Sequence, residues 1–269
     1  MKDNIAIVGV GNITQTLLKT LVDKKFKGKV FIHDIDKNKK KFSLHNKIIF
    51  KNDIADLLKD TNLLLIAVKP NNYIEVCSSL KNFLNPNLVV MSLIAGVKSK
   101  SISKSFDNTK LPIVRVMTNI NGKFGYATTF LHYNKYVKNI HINKIKNFWK
   151  NFGSVTHVHS ELEMDKVTAL LGSGPAYFLE FAQSLIKIFQ KFGFSKEKSY
   201  KYTNELFFGT AYLCKNDMRD IEHIKRTIVS KGGTTESALK SLRKNKFQKI
   251  LEKSIVDAFR RAKSISKEN

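Results

Sequence analysis

The sequence predicts an α/β protein, with a Rossmann-like N-terminal domain on a mainly parallel sheet and an all-α C-terminal domain. Three observations predict it. Short apolar strands alternate with helical patterns from residue 4 to about residue 158, the order that produces right-handed βαβ units. A glycine turn, Gly9-Val10-Gly11, directly follows the first strand. Beyond His159 only helical periodicity remains, which divides the chain into 1–159 and 160–269.

The predicted strands are 4–9, 29–33, 63–68, 88–93, 112–117, 126–132 and 154–158, and helical patterns lie near 12–25, 37–44, 52–58, 71–83, 99–105 and 138–151. The strands at 112–117 and 126–132 are joined through Asn119-Ile120-Asn121-Gly122, a connection short enough to add an antiparallel edge. Ser160 and Glu163 have the spacing of a capping box, hydroxyl at N-cap and carboxylate three residues on. Pro175 suits the first turn of the next helix, which can run to Gly193. Ser195 caps another to about Lys215, and further helical patterns cover 217–228, 235–244 and 246–266. Phe178, Leu179, Phe181, Leu185, Ile186 and Phe189 form a stripe too wide for one packing face. Interleaving helices in a dimer would cover it.

With 269 residues, 42% hydrophobic and 10% aromatic, the chain can bury one large or two medium cores. No apolar run approaches the roughly 20 residues that cross a bilayer, and Met1 leads directly into a strand, which predicts no signal peptide. Cys77 and Cys214 lack metal-ligand spacing, so no metal is expected, and a reduced, cytoplasmic protein is. The formal charge of +25 raises a nucleic-acid role. The cations, however, are nearly all Lys and scattered, whereas nucleic-acid readers favour Arg forks and clustered aromatics. The charge is read as compositional, and no nucleic-acid or membrane partner is expected.

Two segments carry chemistry. Gly9, Val10, Gly11, Asn12 and Ile13 stand between a strand and a helix, where a dinucleotide pyrophosphate meets backbone N–H groups. Asp34 ends the second strand, in place to accept a ribose 2′-hydroxyl and repel a 2′-phosphate, which favours NAD. Lys37, Lys39 and Lys40 could offset that charge, and a helix-capping role for Asp34 or Asp36 stays open. Ala67, Val68, Lys69 and Pro70, and then Ala95 and Gly96, follow later strands at the edge where open α/β sheets bind ligands. Far along the chain, Ser230-Lys231-Gly232-Gly233-Thr234-Thr235 opens a helix and forms a small-anion pocket.

These motifs resemble the pyrroline-5-carboxylate reductase family. The resemblance rests on Gly9 to Ile13, Ala67 to Pro70, Ala95 to Val97, Arg115-Val116-Met117-Thr118-Asn119, Asp165 to Ala169, Gly172 to Tyr177 and Val229 to Thr235, in family order across nearly the whole chain. It implies reduction of Δ1-pyrroline-5-carboxylate to L-proline by NAD(P)H, in an interlocked homodimer often built into a decamer. It places Ala67 to Pro70, Ala95 and Asn119 at the nicotinamide end. Ser230, Gly232, Gly233, Thr234 and Thr235 meet the substrate, with Thr235 at the ring nitrogen. Holding the imine carbon about 3–3.5 Å from the hydride carbon supplies much of the rate.

The chain departs from the family pattern at Lys231, where proline is usual, at Ile120-Asn121 for Thr-Pro, and at Leu171 for serine. The family's NADP users commonly carry Asn-Arg where Asp34-Ile35 stands. Two alternatives stay open: an imine reductase for another small carboxylate, and a non-catalytic dinucleotide-binding relative. His157 and His159, read as alternating on one strand, are assigned a structural role.

Overall fold

The computed structural model describes residues 4–43 and 46–268. Met1 to Asp3 and Leu44, parts of the readings above, lie outside the described residues. Strands β1 (Ile5–Val8), β2 (Val30–His33), β3 (Ile48–Phe50), β4 (Leu63–Ile66), β5 (Val89–Ser92), β6 (Ile113–Met117), β7 (Ala127–Tyr133) and β8 (Gly153–His157) form one sheet. Its order is β3-β2-β1-β4-β5-β6-β7-β8, and every pairing is parallel except β6 with β7.

Strands β1, β2, β4 and β5 read Ile-Ala-Ile-Val, Val-Phe-Ile-His, Leu-Leu-Leu-Ile and Val-Val-Met-Ser, and every residue in them is buried. Continuous apolar strands are what a parallel sheet covered on both faces requires. Alternation then sorts the side chains. Ile5 and Ile7 join one core with Leu17 and Leu21 of α1 (Asn12–Asp23) and Trp149 of α4 (Asn139–Lys150). Ala6 and Val8 join the opposite core with Cys77 of α2 (Tyr73–Leu80) and Ile102 of α3 (Ser99–Ser105). A one-residue slip would exchange these sets, so the register of Ile5 opposite Val30 and Leu63 is firmly held.

Three local readings change. Strand β3 was not predicted, because three residues are too few to carry a period. The stretches expected as helices at 37–44 and 52–58 form 3₁₀ turns at Lys37–Phe42 and Ile54–Leu57. Each is too short to offset helix nucleation and begins at an aspartate, Asp36 or Asp53, whose carboxylate accepts the N–H two residues on. Strand β7 is antiparallel to β6, but the sheet edge on that side is β8, parallel to β7.

The chain divides into two compact units, Met1–Ser173 with Ala258–Asn269, and Gly174–Asp257. Periodicity changes at 159/160, but the first unit extends further. Helix α5 (Glu161–Val167) is drawn into it by Arg115, a side chain 2% exposed in the middle of β6. Its guanidinium donates to Glu161 Oε2 and, at 3.1 Å, to Asp165 Oδ1. Glu161 Oε1 accepts the Ser99 N–H at 3.0 Å and the Ser99 hydroxyl at 2.7 Å, which ties the start of α3 to the same group. The capping box forms at Ser160, whose Oγ accepts the Glu163 N–H at 3.0 Å; Glu163 in turn accepts from the His159 N–H at 2.7 Å. A π turn, Thr168–Gly172, follows α5.

The second unit is helical: α6 (Gly174–Lys191), α7 (Lys196–Asn216), α8 (Ile221–Ile228), α9 (Thr234–Lys244) and the first part of α10 (Phe247–Glu268). Pro175 sits in the first turn of α6, and the chain turns at Gly193, with Phe194 N–H donating to Phe189 O at 3.1 Å. Phe178 and Phe208 stay 68% and 73% exposed in the single chain. The wide apolar stripe is therefore only partly covered: Phe178, Leu179 and Phe181 are exposed, whereas Leu185, Ile186 and Phe189 are half-buried.

Removing one member of a buried ion cluster strands the charge of the others, which costs about 3–5 kcal/mol. Asp165→Ala should lose that much in urea unfolding, and a loss below about 1 kcal/mol would show that Arg115 needs no partner there. Burial raises the Glu161 carboxyl, but the Arg115 charge and the bonds from Ser99 and Arg115 outweigh it and hold its pKa below the usual range. A depressed folded-state pKa gives stability that is complete above the unfolded value, about 4.3, and lost as pH falls through the folded one. The stability gap between wild type and Glu161→Gln should therefore be full at pH 7 and close in acid; a gap independent of pH would remove this linkage.

Candidate functional site

The first unit gathers residues at the carboxyl ends of adjacent strands. Gly9 ends β1 with φ +92°, and a Cβ there would lie 2.6 Å from the Ala67 carbonyl oxygen. Only glycine allows that approach. The Ala67 N–H donates to Val8 O at 2.8 Å, and the Gly9 N–H to His33 O at 2.9 Å. Gly9 to Ile13, Asp34 and Ala67 to Pro70 are thus brought together where β1, β2 and β4 end. This is the switch point of the sheet, since β1 has β2 on one side and β4 on the other.

Gly11 is the N-cap of α1, and no side chain caps it. A Cβ on Gly11 would meet no atom within 4 Å. The first-turn N–H groups of α1 have no intrahelical acceptor, and they carry the positive end of a helix whose first turn holds no acid. This open, donor-rich space fits a pyrophosphate.

Asp34 has a structural task beside any ribose contact. Its Oδ2 accepts the Val10 N–H at 2.7 Å and its Oδ1 the Asp36 N–H at 2.9 Å, so it pins the glycine turn to the end of β2. Each carboxylate oxygen keeps a further lone pair, and a sugar hydroxyl remains compatible. Asp36, not Asp34, caps the 3₁₀ turn that follows. Ile35 beside them is 84% exposed.

Ala95 and Gly96 follow β5. A Cβ on Gly96 would lie 2.7 Å from the carbonyl oxygen of Ala262 in the last part of α10, so Gly96 also serves helix packing. Lys69 is exposed and precedes Pro70 at the start of a 3₁₀ turn. Asn119 follows β6 and is 6% exposed. Its Nδ2 donates to Leu171 O at 3.1 Å and its Oδ1 accepts the Asn121 N–H at 3.3 Å. In this arrangement its carboxamide braces the π turn and its own loop.

In the second unit the turn before α9 is built from Ser230 to Gly233. The Gly233 N–H donates to Ser230 O at 3.1 Å, and the Gly232 N–H to Glu236 Oε2 at 2.8 Å. Gly232 has φ +73°. Both glycine amides are therefore committed within the turn. The donors left for an anion are the first-turn N–H groups of Thr234 and Thr235, which have no intrahelical acceptor, and the hydroxyls of Ser230, Thr234 and Thr235. Thr235 is half-buried, whereas Ser230 and Thr234 are exposed. The bond from Gly232 and the charge of Lys240 hold the Glu236 carboxyl below its usual pKa.

Sequence reasoning left Glu236, Arg115 and Glu161 without roles. Glu236 stands three residues after the N-cap Gly233, the acid position of a capping box. Arg115 is a lone cation in an apolar strand, which itself signals a buried partner. Burial pushes the Cys77 thiol up to about 12, leaving it uncharged at neutral pH. Strand β8 ends at His157, so His159 lies in the turn beyond it. Among the described residues no group of three or more His, Cys, Asp or Glu could hold a metal ion, and no helix is long and apolar enough to cross a membrane.

Fold and site define a protein of the dinucleotide-binding α/β class with an added helical unit. Residues 161–265 match the model of the pyrroline-5-carboxylate reductase dimerisation family, and residues 4–96 match that of the coenzyme F420-dependent NADP oxidoreductases. A pyrroline-5-carboxylate reductase from Staphylococcus haemolyticus is 25% identical over 98% of both chains. The solved structure of one from Coxiella burnetii superposes with a TM-score of 0.89 at 26% identity, covering 99% of both chains. One from Plasmodium falciparum, solved with NADP bound, superposes at 0.88 with 24% identity over 98% of both. Over nearly its whole length the chain is similar to pyrroline-5-carboxylate reductases, and its C-terminal part matches their dimerisation model.

The two glycines of the first turn make opposite predictions. Gly9→Ala should destabilise the fold by about 1–3 kcal/mol through the forced φ and the Ala67 clash. Gly11→Ala should leave the unfolding midpoint unchanged and weaken dinucleotide binding at least tenfold, because its methyl enters only the space offered to phosphate. Wild-type affinity in Gly11→Ala would remove the pyrophosphate from that space.

Proposed function

We propose that the protein reduces Δ1-pyrroline-5-carboxylate to L-proline with NAD(P)H, the last step of proline biosynthesis. The observation that carries this reading is the donor set at the start of α9: uncommitted first-turn amides beside three hydroxyls, behind a turn closed by its own hydrogen bonds. Such a set suits one small carboxylate. The names of the relatives over nearly their full lengths support the same substrate, and the NADP held by the Plasmodium falciparum protein supports a nicotinamide dinucleotide.

The substrate is a cyclic imine bearing a carboxylate, and reduction adds a hydride to C5 and a proton to nitrogen. When bound, the reduced nicotinamide supplies the hydride. Gly9 to Ile13 hold its pyrophosphate, and Asp34 accepts from the ribose and disfavours a 2′-phosphate, which makes NADH the preferred form. Ala67 to Pro70, Ala95, Gly96 and Asn119 build the nicotinamide end, Asn119 by bracing its wall. Ser230, Thr234 and Thr235 receive the carboxylate and ring, with Gly232 and Gly233 shaping the turn. Thr235 orients the ring nitrogen through its hydroxyl. An alcohol is a weak acid, so the nitrogen enters already protonated from solvent.

In this reading residues 1–159 serve the cofactor and 160–269 serve substrate and assembly. The exposed aromatic faces of α6 and α7 become the homodimer interface named by the family model. Further assembly into a decamer and residence in the cytoplasm belong to the same proposal.

Parallel assays with NADH and NADPH on pyrroline-5-carboxylate test it, and absence of oxidation of either cofactor would overturn it. Thr235→Ala should lower kcat/KM for the imine by about tenfold to a hundredfold, the worth of a hydrogen bond to a charged partner, without altering NADH affinity. Asp34→Ser should raise the NADPH-to-NADH ratio of specificity constants; an unchanged ratio would discard the ribose contact.

A further inference from the structure

The turn before α9 has a problem of order. Two successive glycines lose more backbone freedom on folding than any other pair, yet the amides that follow them must be held ready for a small anion. Hydrogen bonds solve it. The Gly233 N–H closes the turn on Ser230 O at 3.1 Å, and Ser230 Oγ lies 2.4 Å from where a Gly233 Cβ would stand. The left-handed Gly232, φ +73°, is held from the helix side, its N–H donating to Glu236 Oε2 at 2.8 Å. The other oxygen of Glu236 meets Lys240 Nζ at 3.1 Å, one turn further along α9.

A carboxylate beside an anion pocket would ordinarily repel the anion. Here its charge is shared with Lys240 and with the positive end of α9, and it consumes only the amide of Gly232. The first-turn amides of Thr234 and Thr235 stay open. From this chain, Lys240 to Glu236 to Gly232, we infer that Glu236 is a positioning residue: it preorganises the glycine turn so that the amides of α9 bind the substrate carboxylate without an ordering cost at each encounter. The inference rests on the proposed reduction of pyrroline-5-carboxylate at this turn and adds a residue that its mechanism does not otherwise use.

A carboxylate bound alike in ground and transition states changes KM and not kcat. Glu236→Ala should therefore raise KM for pyrroline-5-carboxylate about tenfold, with kcat within about twofold of wild type and NADH affinity unmoved. Glu236→Gln, whose amide oxygen accepts the same N–H, should restore most of that loss. Lys231→Pro rigidifies the turn without a carboxylate, since Lys231 lies outside the left-handed region; combined with Glu236→Ala it should recover KM. Amide exchange at Gly232 should be slow in wild type and in Glu236→Gln, and at least tenfold faster in Glu236→Ala.

An unchanged KM in Glu236→Ala overturns the inference. So does a Gln variant as impaired as Ala, or no recovery in the double variant when Lys231→Pro alone keeps the wild-type KM. If the wild type does not turn over pyrroline-5-carboxylate, the functional reading fails instead. Gly232 exchange then still decides whether Glu236 orders the turn.

Discussion

A guanidinium buried in the middle of an apolar strand governs how the first unit is assembled. Arg115 cannot give up its charge, so the fold must bring anions to it. It brings two, both from α5. The helix that begins the C-terminal half is thereby fixed to β6, and through Ser99 to the start of α3. A well-packed apolar replacement could match such a cluster for stability. What the ions add is direction, because two planar carboxylates in one guanidinium fork allow a single orientation of α5.

That orientation reaches the ligand edge of the sheet. From α5 the chain enters the π turn, which Asn119 holds by Leu171 O. Gly172 there lies so close to Met117 that a Cβ would stand 2.7 Å from its sulfur. Strand β6 thus grips the following segment at Arg115, Met117 and Asn119. The two glycine turns share one design, each standing before a helix N-terminus that no side chain caps. They differ in what steadies the turn. Before α1 it is an aspartate from the next strand, and before α9 a glutamate from the helix itself.

The sequence was most legible where one physical signal acted alone. Buried parallel strands read as unbroken apolar runs, and β1, β2, β4 and β5 lie within the predicted spans. Helix ends marked by Ser160, Pro175, Gly193 and Ser195 were legible because caps are local. Strand β3 was hidden, since pairing with β2 is a tertiary fact that three residues cannot announce. The 3₁₀ turns at Lys37 and Ile54 carry helical spacing without the length to become helices. At the candidate site, residue types pointed to both glycine turns, but not to which amides are already spent. Only the folded turn separates the committed N–H groups of Gly232 and Gly233 from those of Thr234 and Thr235. Asn119, expected from the resemblance to line the nicotinamide end, uses its carboxamide here to brace backbone.

The outermost strand β3 also bears on behaviour in concentrated solution. An open sheet ends in a row of unpaired backbone groups that can recruit a neighbouring molecule's strand. β3 offers only three residues to such a neighbour. It is bracketed by Lys47, whose ammonium reaches the Phe26 carbonyl, and Lys51, whose ammonium lies 5.1 Å from the Phe31 ring centre. A second chain arriving in β register would have to desolvate both cations for three rungs of ladder. The brevity that hid this strand from pattern reading is the same property that makes it a poor template for an incoming strand.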